Sequence, residues 1–223
     1  MRRSATRSVR GAVCVALLIG LTAIGCGGRS NPYGYPDKGT ISGNTYSNEF
    51  FGLSFPLPEG WYVLSEGEVA AGISQGINFM AADNPQARAA MQHWRELGAF
   101  LLMIQKYPMG TPRFNPNIVI GAEDVAPHIR RVNSGADYLR AVSDEFRQLK
   151  PQARITGPIE ACTLGGRSFH QINIVLPIDG FTAHQRMYAT LTKNHILLIN
   201  ITAESNSGLN ELAEIVQNVA FEE

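Results

Sequence analysis

Along this chain the spacing of apolar residues changes period several times, and each change predicts an element. Leu53, Phe55 and Leu57 alternate with Ser54 and Pro56, the two-residue period of a strand. Pro58-Glu59-Gly60 is a turn signal, and Trp61-Tyr62-Val63 reads as a second short strand. Ser65 and Glu68 have the spacing of a capping box. Behind it Val69, Ile73, Ile77 and Met80 fall on one face of a helix. Asp83-Asn84-Pro85 ends that helix and starts another, on which Ala87, Ala90, Met91, Trp94 and Leu97 share a face.

From Gly98 the period is lost. AFLLMIQKY is a continuous apolar run, the mark of a strand buried on both faces. A loop rich in Pro, Gly and Asn follows, and then NIVIGAEDV predicts a further strand. Ser134 and Asp137 cap a helix with Tyr138, Val142, Phe146 and Leu149 on one side and Pro151 beyond its end. The last third holds four strand patterns, ARITGPIEACTL, RSFHQINIVLPI, AHQRMYATLT and HILLINITAE. They are separated by Gly165-Gly166, Asp179-Gly180 and Lys193-Asn194. A terminal helix from about Ser207 carries Leu209, Leu212, Ile215, Val216 and Val219. The expected architecture is α+β, a mostly antiparallel sheet covered by helices.

The start of the chain follows another rule. Arg2, Arg3, Arg7 and Arg10 precede an apolar run of about 15 residues, Gly11 to Gly25, short of the roughly 20 that span a bilayer. A basic head, a short apolar stretch and small residues predict a secretory signal peptide over 1–25. Ala23-Ile24-Gly25-Cys26 resembles a bacterial lipobox, with Ala23 where Leu is usual. The resemblance implies that Cys26 is acylated and becomes the first residue after cleavage. It also implies palmitate and a membrane anchor. Gly27, where some inner-membrane lipoproteins carry Asp, favours the outer membrane. Residues 26–44 read as the lipidated cysteine and a flexible tether, and 45–223 as one domain.

Composition then sharpens the picture. The precursor carries 19 Lys+Arg and 19 Asp+Glu in 223 residues. Losing the four arginines before Cys26 leaves 15 basic against 19 acidic residues, a net charge near −4. That argues against a nucleic-acid partner and against a polybasic membrane patch. Cys14 departs with the signal and Cys26 takes the lipid. Cys162 remains alone, so the mature chain has no intramolecular disulfide, and its strand setting predicts a buried small hydrophobe.

Candidate chemistry is sparse. Gly72-Ile73-Ser74-Gln75-Gly76 fits G-x-S-x-G, and Ser74 as the nucleophile of a small serine hydrolase is the alternative function. That chemistry needs a strand-to-helix turn, a histidine and a carboxylate, yet a helix start precedes Gly72. His93, His128, His170, His184 and His195 form no metal-ligand spacing, and no phosphate-binding glycine motif is present. No cofactor, metal or nucleotide is therefore expected. Strand alternation places Gln171 and Asn173 on one side of their strand and His184, Arg186 and Tyr188 on one side of the next. Asn200 and Thr202 share a side of the last strand. If these sides coincide, they offer a polar ligand-binding face for a peptide or small polar ligand.

Two ends of the domain resemble a known family. The first is Tyr46 and Asn48, Phe51-Gly52, the alternating strand and Leu57 to Trp61. The second is Gly165-Gly166 with Phe169, the strand with Gln185 and Tyr188, an apolar strand, and a terminal helix closing near Phe221. Together they are similar to the PsbP-like α/β/α sandwich family, over about residues 45–223. That family includes the extrinsic oxygen-evolving protein of photosystem II and many bacterial lipoproteins. The resemblance implies a non-catalytic binding or assembly-helper domain with an envelope protein partner.

Overall fold

The computed structural model of the chain describes residues 31–81, 85, 88, 98–126, 131–150, 152–178 and 180–222. The predicted signal peptide, Cys26, most of the second predicted helix, His93, His128 and Asp179 lie outside them. The element order is β1 (Thr40–Ser42), β2 (Thr45–Asn48), β3 (Leu53–Pro56), β4 (Tyr62–Val63), α1 (Glu66–Ala81), β5 (Gly98–Gln105) and β6 (Asn117–Asp124). It continues with α2 (Gly135–Leu149), β7 (Arg154–Leu164), β8 (Arg167–Ile178), β9 (Phe181–Thr192), β10 (His195–Ala203), α3 (Asn206–Val216) and β11 (Ala220–Phe221).

Seven strands form one antiparallel sheet in the order β4-β5-β6-β10-β9-β8-β7, and the other four form a small sheet in the order β1-β2-β3-β11. The fold is α+β, as the pattern predicted. Hairpin chemistry sets the order of the last four strands. Lys193 and Asn194 both take positive φ, 50° and 57°, the conformation of a tight turn whose twist matches the flanking strands. Every residue of β6 and β10 is buried, so the two central strands need cover on both faces.

One face is covered by α1 and α2, whose Ile77, Tyr138, Val142 and Phe146 pack on Ile172, Ile174, Met187 and Leu198. The other is covered by α3 and the small sheet, where Phe55, Leu209, Leu212 and Val216 pack on Ile199 and Ile201. Each large aliphatic side chain so buried contributes about 1.5–3 kcal/mol. Both predicted caps at Ser65 and Ser134 form. The Ser65 amide and hydroxyl donate to Glu68 Oε2 at 2.8 and 2.7 Å, and the Asp137 amide donates to Ser134 Oγ at 3.1 Å.

Three segments differ from the sequence reading. Within the stretch expected to be tether, Thr40–Ser42 pairs with β2, and Asn31 is buried against the domain. The terminal helix stops at Val216, and Ala220–Phe221 returns as a strand on β3. β1 and β11, of three and two residues, carry no readable period, so their partners reveal them. The outer strand β7 carries Gly157 at φ 85° and Pro158 inside a break in its register with β8. That break interrupts the ladder on an edge strand and blunts it against pairing with another chain.

Helix α2 begins against the sheet. A Cβ added to Gly135 would lie 2.0 Å from the Ala189 carbonyl oxygen, whereas one added to Gly67 in α1 meets nothing within 4 Å. Gly135→Ala should therefore destabilise the fold by about 3 kcal/mol, as overpacking does. Gly67→Ala should stabilise it by about 0.5–1 kcal/mol through lower chain entropy. Urea midpoints of the two variants, shifted in opposite directions, check this.

Candidate functional site

Register decides which of the predicted polar residues meet. Asn173 lies opposite Arg186, and Gln171 opposite Tyr188, so the polar sides of β8 and β9 coincide. Arg186 Nε donates to Asn173 Oδ1 at 2.8 Å, and its Nη2 reaches Asn210 Oδ1 of α3 at 3.3 Å. His184 Nδ1 lies 2.8 Å from Asn206 Oδ1 at the start of the same helix. Gln171 Nε2 donates to Glu160 Oε2 on β7 at 3.3 Å. Helix α3 lies over β10 and the near part of β9, and the strip beyond it on β7–β9 stays half-exposed.

Three expected members do not join the strip. Tyr188 is on this side but only 2% exposed, packed among Leu164, Phe169 and Ile199. Burial pushes its phenol up, an effect that Arg186 opposes. Asn200 and Thr202 lie opposite Met187 and Gln185, which places them on the other face of the sheet. There Gln105, Asn117, Thr202 and Gln185 form a cross-strand row, every one of them at most 1% exposed. Gln185 Nε2 donates to Thr202 Oγ1 at 3.2 Å, and Asn117 Nδ2 donates to the Asn115 carbonyl at 3.1 Å. Both carboxamide atoms of Asn200 are buried with no hydrogen-bond partner among the described residues. Such groups are costly, at about 1–3 kcal/mol each. Alternation alone placed these residues on an outer face, because it cannot say which face α2 covers.

The strip has a cation, a carboxylate and several amides, and it lacks an activated nucleophile. Burial raises the Cys162 thiol above its ordinary value, with Arg186 opposing and Glu160 adding to the rise. Ser74 sits in the middle of α1, and its hydroxyl donates to the Ala70 carbonyl at 2.9 Å. That is the ordinary use of a helical serine, and the strand-to-helix turn of a nucleophile elbow is not there. Among the described residues no group of three or more His, Cys, Asp or Glu could hold a metal ion.

A second concave feature was invisible in the sequence. A groove of about 680 Å³ opens between α1, the edge of β5 and the N-terminal hairpin. Ile41, Val63, Val69, Ile73 and Leu101 line it, and the exposed Lys38–Glu66 ion pair stands at its mouth. It joins three segments far apart in the chain, so no local signal marks it.

An acidic pair, Glu123 of β6 and Glu145 of α2, lies where that helix packs on the sheet. Tyr138 donates its hydroxyl to Glu123 Oε2 at 2.8 Å, and Glu123 is 2% exposed. Burial, and then the nearby Glu123, push the Glu145 carboxyl from its ordinary 4.5 up to about 8.

No family model matches the chain, and no curated protein sequence matches it. Solved structures do. Cyanobacterial PsbP (CyanoP) from Synechocystis sp. PCC 6803 is similar with a TM-score of 0.50 and 11% identity, over 80% of this chain and 91% of that one. The chain has a PsbP-like fold. LpqN, involved in cell envelope biogenesis of Mycobacterium tuberculosis, is similar with a TM-score of 0.46 and 17% identity, over 77% of this chain and 83% of that one. In the PsbP-like domain the polar strip sits on the face that carries the small sheet and α3, and the acidic pair sits beneath the opposite layer.

The acidic pair makes a signed prediction for the domain. Folded, Glu145 keeps its proton up to about pH 8, while the unfolded chain releases it near 4.5. The folded state binds the extra proton across that window, so Glu145 makes stability fall as pH rises through it. The melting temperature should drop between pH 5 and pH 8. Glu145→Gln should flatten that slope, as differential scanning calorimetry across the range would show.

Proposed function

We propose that this protein is a cell-envelope lipoprotein, acylated at Cys26, whose PsbP-like domain binds an envelope protein partner without catalysis. The observation that carries the anchor is the leader itself. Four arginines, a short apolar run and the Ala23-Ile24-Gly25-Cys26 sequence have the layout of a signal cut before an acylated cysteine. Several acyl chains on one residue anchor stably where a single chain is marginal. Among the described residues no helix is long and apolar enough to cross a membrane. With an alkyne palmitate analogue in cells, the chain should take the label, and Cys26→Ala should abolish it. Labelling that survives Cys26→Ala would refute the anchor.

The binding role is supported by the half-exposed strip of Gln171, Asn173, His184 and Arg186, the residues that register brings to one side. Their donors and acceptors are held by neighbours from α3 and β7, which pre-positions them for a polar partner. The helical setting of Ser74 supports a non-catalytic reading. A photo-crosslinker at Gln171 should give one discrete adduct in cells. Arg186→Ala should reduce it roughly ten- to hundredfold, the worth of a charge-assisted hydrogen bond at about 1.5–3 kcal/mol. An adduct of unchanged yield, with the melting curve also unchanged, would rule out this face.

A further inference from the structure

The expected spacer ends sooner than its composition implies. Asn31 is 8% exposed and ties the chain to one end of the large sheet. Its Nδ2 donates to Asp124 Oδ1 at 3.0 Å and to the Lys193 carbonyl at 3.2 Å. Asn31-Pro32-Tyr33-Gly34 is a β-turn closed by the Gly34 amide on the Asn31 carbonyl at 3.1 Å, with Gly34 at φ 75°. Proline at its second position presets the backbone. The Tyr33 amide also donates to Asn31 Oδ1, at 3.1 Å. Residues 31–39 are therefore a strap on the domain, and free chain extends at most from Cys26 to Asn31.

That changes the reach of the anchor. The 18 residues after Cys26, 27–44, extend to about 60 Å, whereas the five from 27 to 31 extend to about 18 Å. The end of the domain that receives Asn31 carries Tyr33 at 57% and Tyr35 at 72% exposure. Tyr35 lies edge-on to His195 with ring centroids 6.5 Å apart, and Phe50 lies 5.2 Å from the same ring. Lys193 extends over Phe50, its Nζ 4.9 Å from the ring centroid, and donates to the Phe50 carbonyl. Tyrosine rings with exposed hydroxyls and a long lysine stem are the residues that settle at a membrane–water interface.

We infer that this end of the domain, Tyr33 and Tyr35 with Phe50 and Lys193, rests on the phospholipid headgroup layer. The inference rests on acylation of Cys26. It turns a domain swinging on a long tether into one docked upright. The nine residues of β10 span about 30 Å and separate this end from the start of α3, which faces away from the membrane. The polar strip, which runs along β8 and β9, then stands beside the membrane with its His184 end outermost.

Nitroxide labels on the full acylated chain test this, in phosphatidylethanolamine–phosphatidylglycerol vesicles with Cys162→Ser as background. Mass spectrometry first establishes the acyl groups on Cys26, and their absence would overturn the anchor and the docking together. With acylation present, a label at Tyr35→Cys should collide more with oxygen than with a water-soluble nickel chelate. Labels at Ser207→Cys, at the opposite end, should behave as in water. A label at Glu49→Cys, in the turn between β2 and β3, should sit at headgroup level, and Asn31→Ala should return it to the aqueous value. A label at position 35 that behaves as in water on an acylated chain overturns the docking and leaves the anchor standing. Retention of the position 49 signal in Asn31→Ala overturns the role of the strap.

Discussion

Two central strands with no solvent-exposed face govern the rest of this molecule. β6 and β10 are buried along their whole length, and a sheet with such strands at its middle must be covered twice. The chain supplies two unlike covers. One is helical, and its closest approach is made at Gly135, where α2 meets the backbone of β9. The other is assembled from both ends of the domain, β1–β3 from the start and α3 with β11 from the finish. Glu222 N donates to the Gly52 carbonyl within that second layer, and Arg167 of β8 donates to the Phe51 carbonyl, which ties the layer to the large sheet.

The same requirement sorts the polar groups. Where the helical layer lies over the sheet, Gln105, Asn117, Gln185, Asn200 and Thr202 are enclosed, and Glu145 is pushed towards its neutral form beside Glu123. Where α3 stops short, the amides of β8 and Arg186 of β9 keep contact with solvent. Residues of the same chemical type thus end as buried structure on one face and as an accessible strip on the other. Arg186 on the strip is held by Asn173 within the sheet and by Asn210 from the covering helix.

Much of this fold was legible in the sequence. The capping boxes at Ser65 and Ser134, the Gly165-Gly166 and Lys193-Asn194 turns and the apolar runs of β5, β6 and β10 are local signals, and each formed. β1 and β11 carry no period and lie inside a Gly/Pro/Ser-rich stretch and at the end of a helical pattern, so local signals there point elsewhere. The spacer composition of residues 27–44 conceals the attachment of Asn31 for a related reason. Asn31 is held by Asp124 and Lys193, which lie about 93 and 162 positions away and leave no trace in local composition.

The sequence by itself determined the longer strands, the caps and the pairing of β8 with β9, because period and turn chemistry act over a few residues. It also determined that Gln171, Asn173, His184 and Arg186 could share a side, since alternation and a two-residue turn set that register. The tertiary structure alone decided which side of each strand would be covered. That choice buried Tyr188, moved Asn200 and Thr202 to the opposite face, opened the groove beside β5 and laid the strap on the sheet's end. Each depends on which layer packs where, a contact between distant segments that no local pattern encodes.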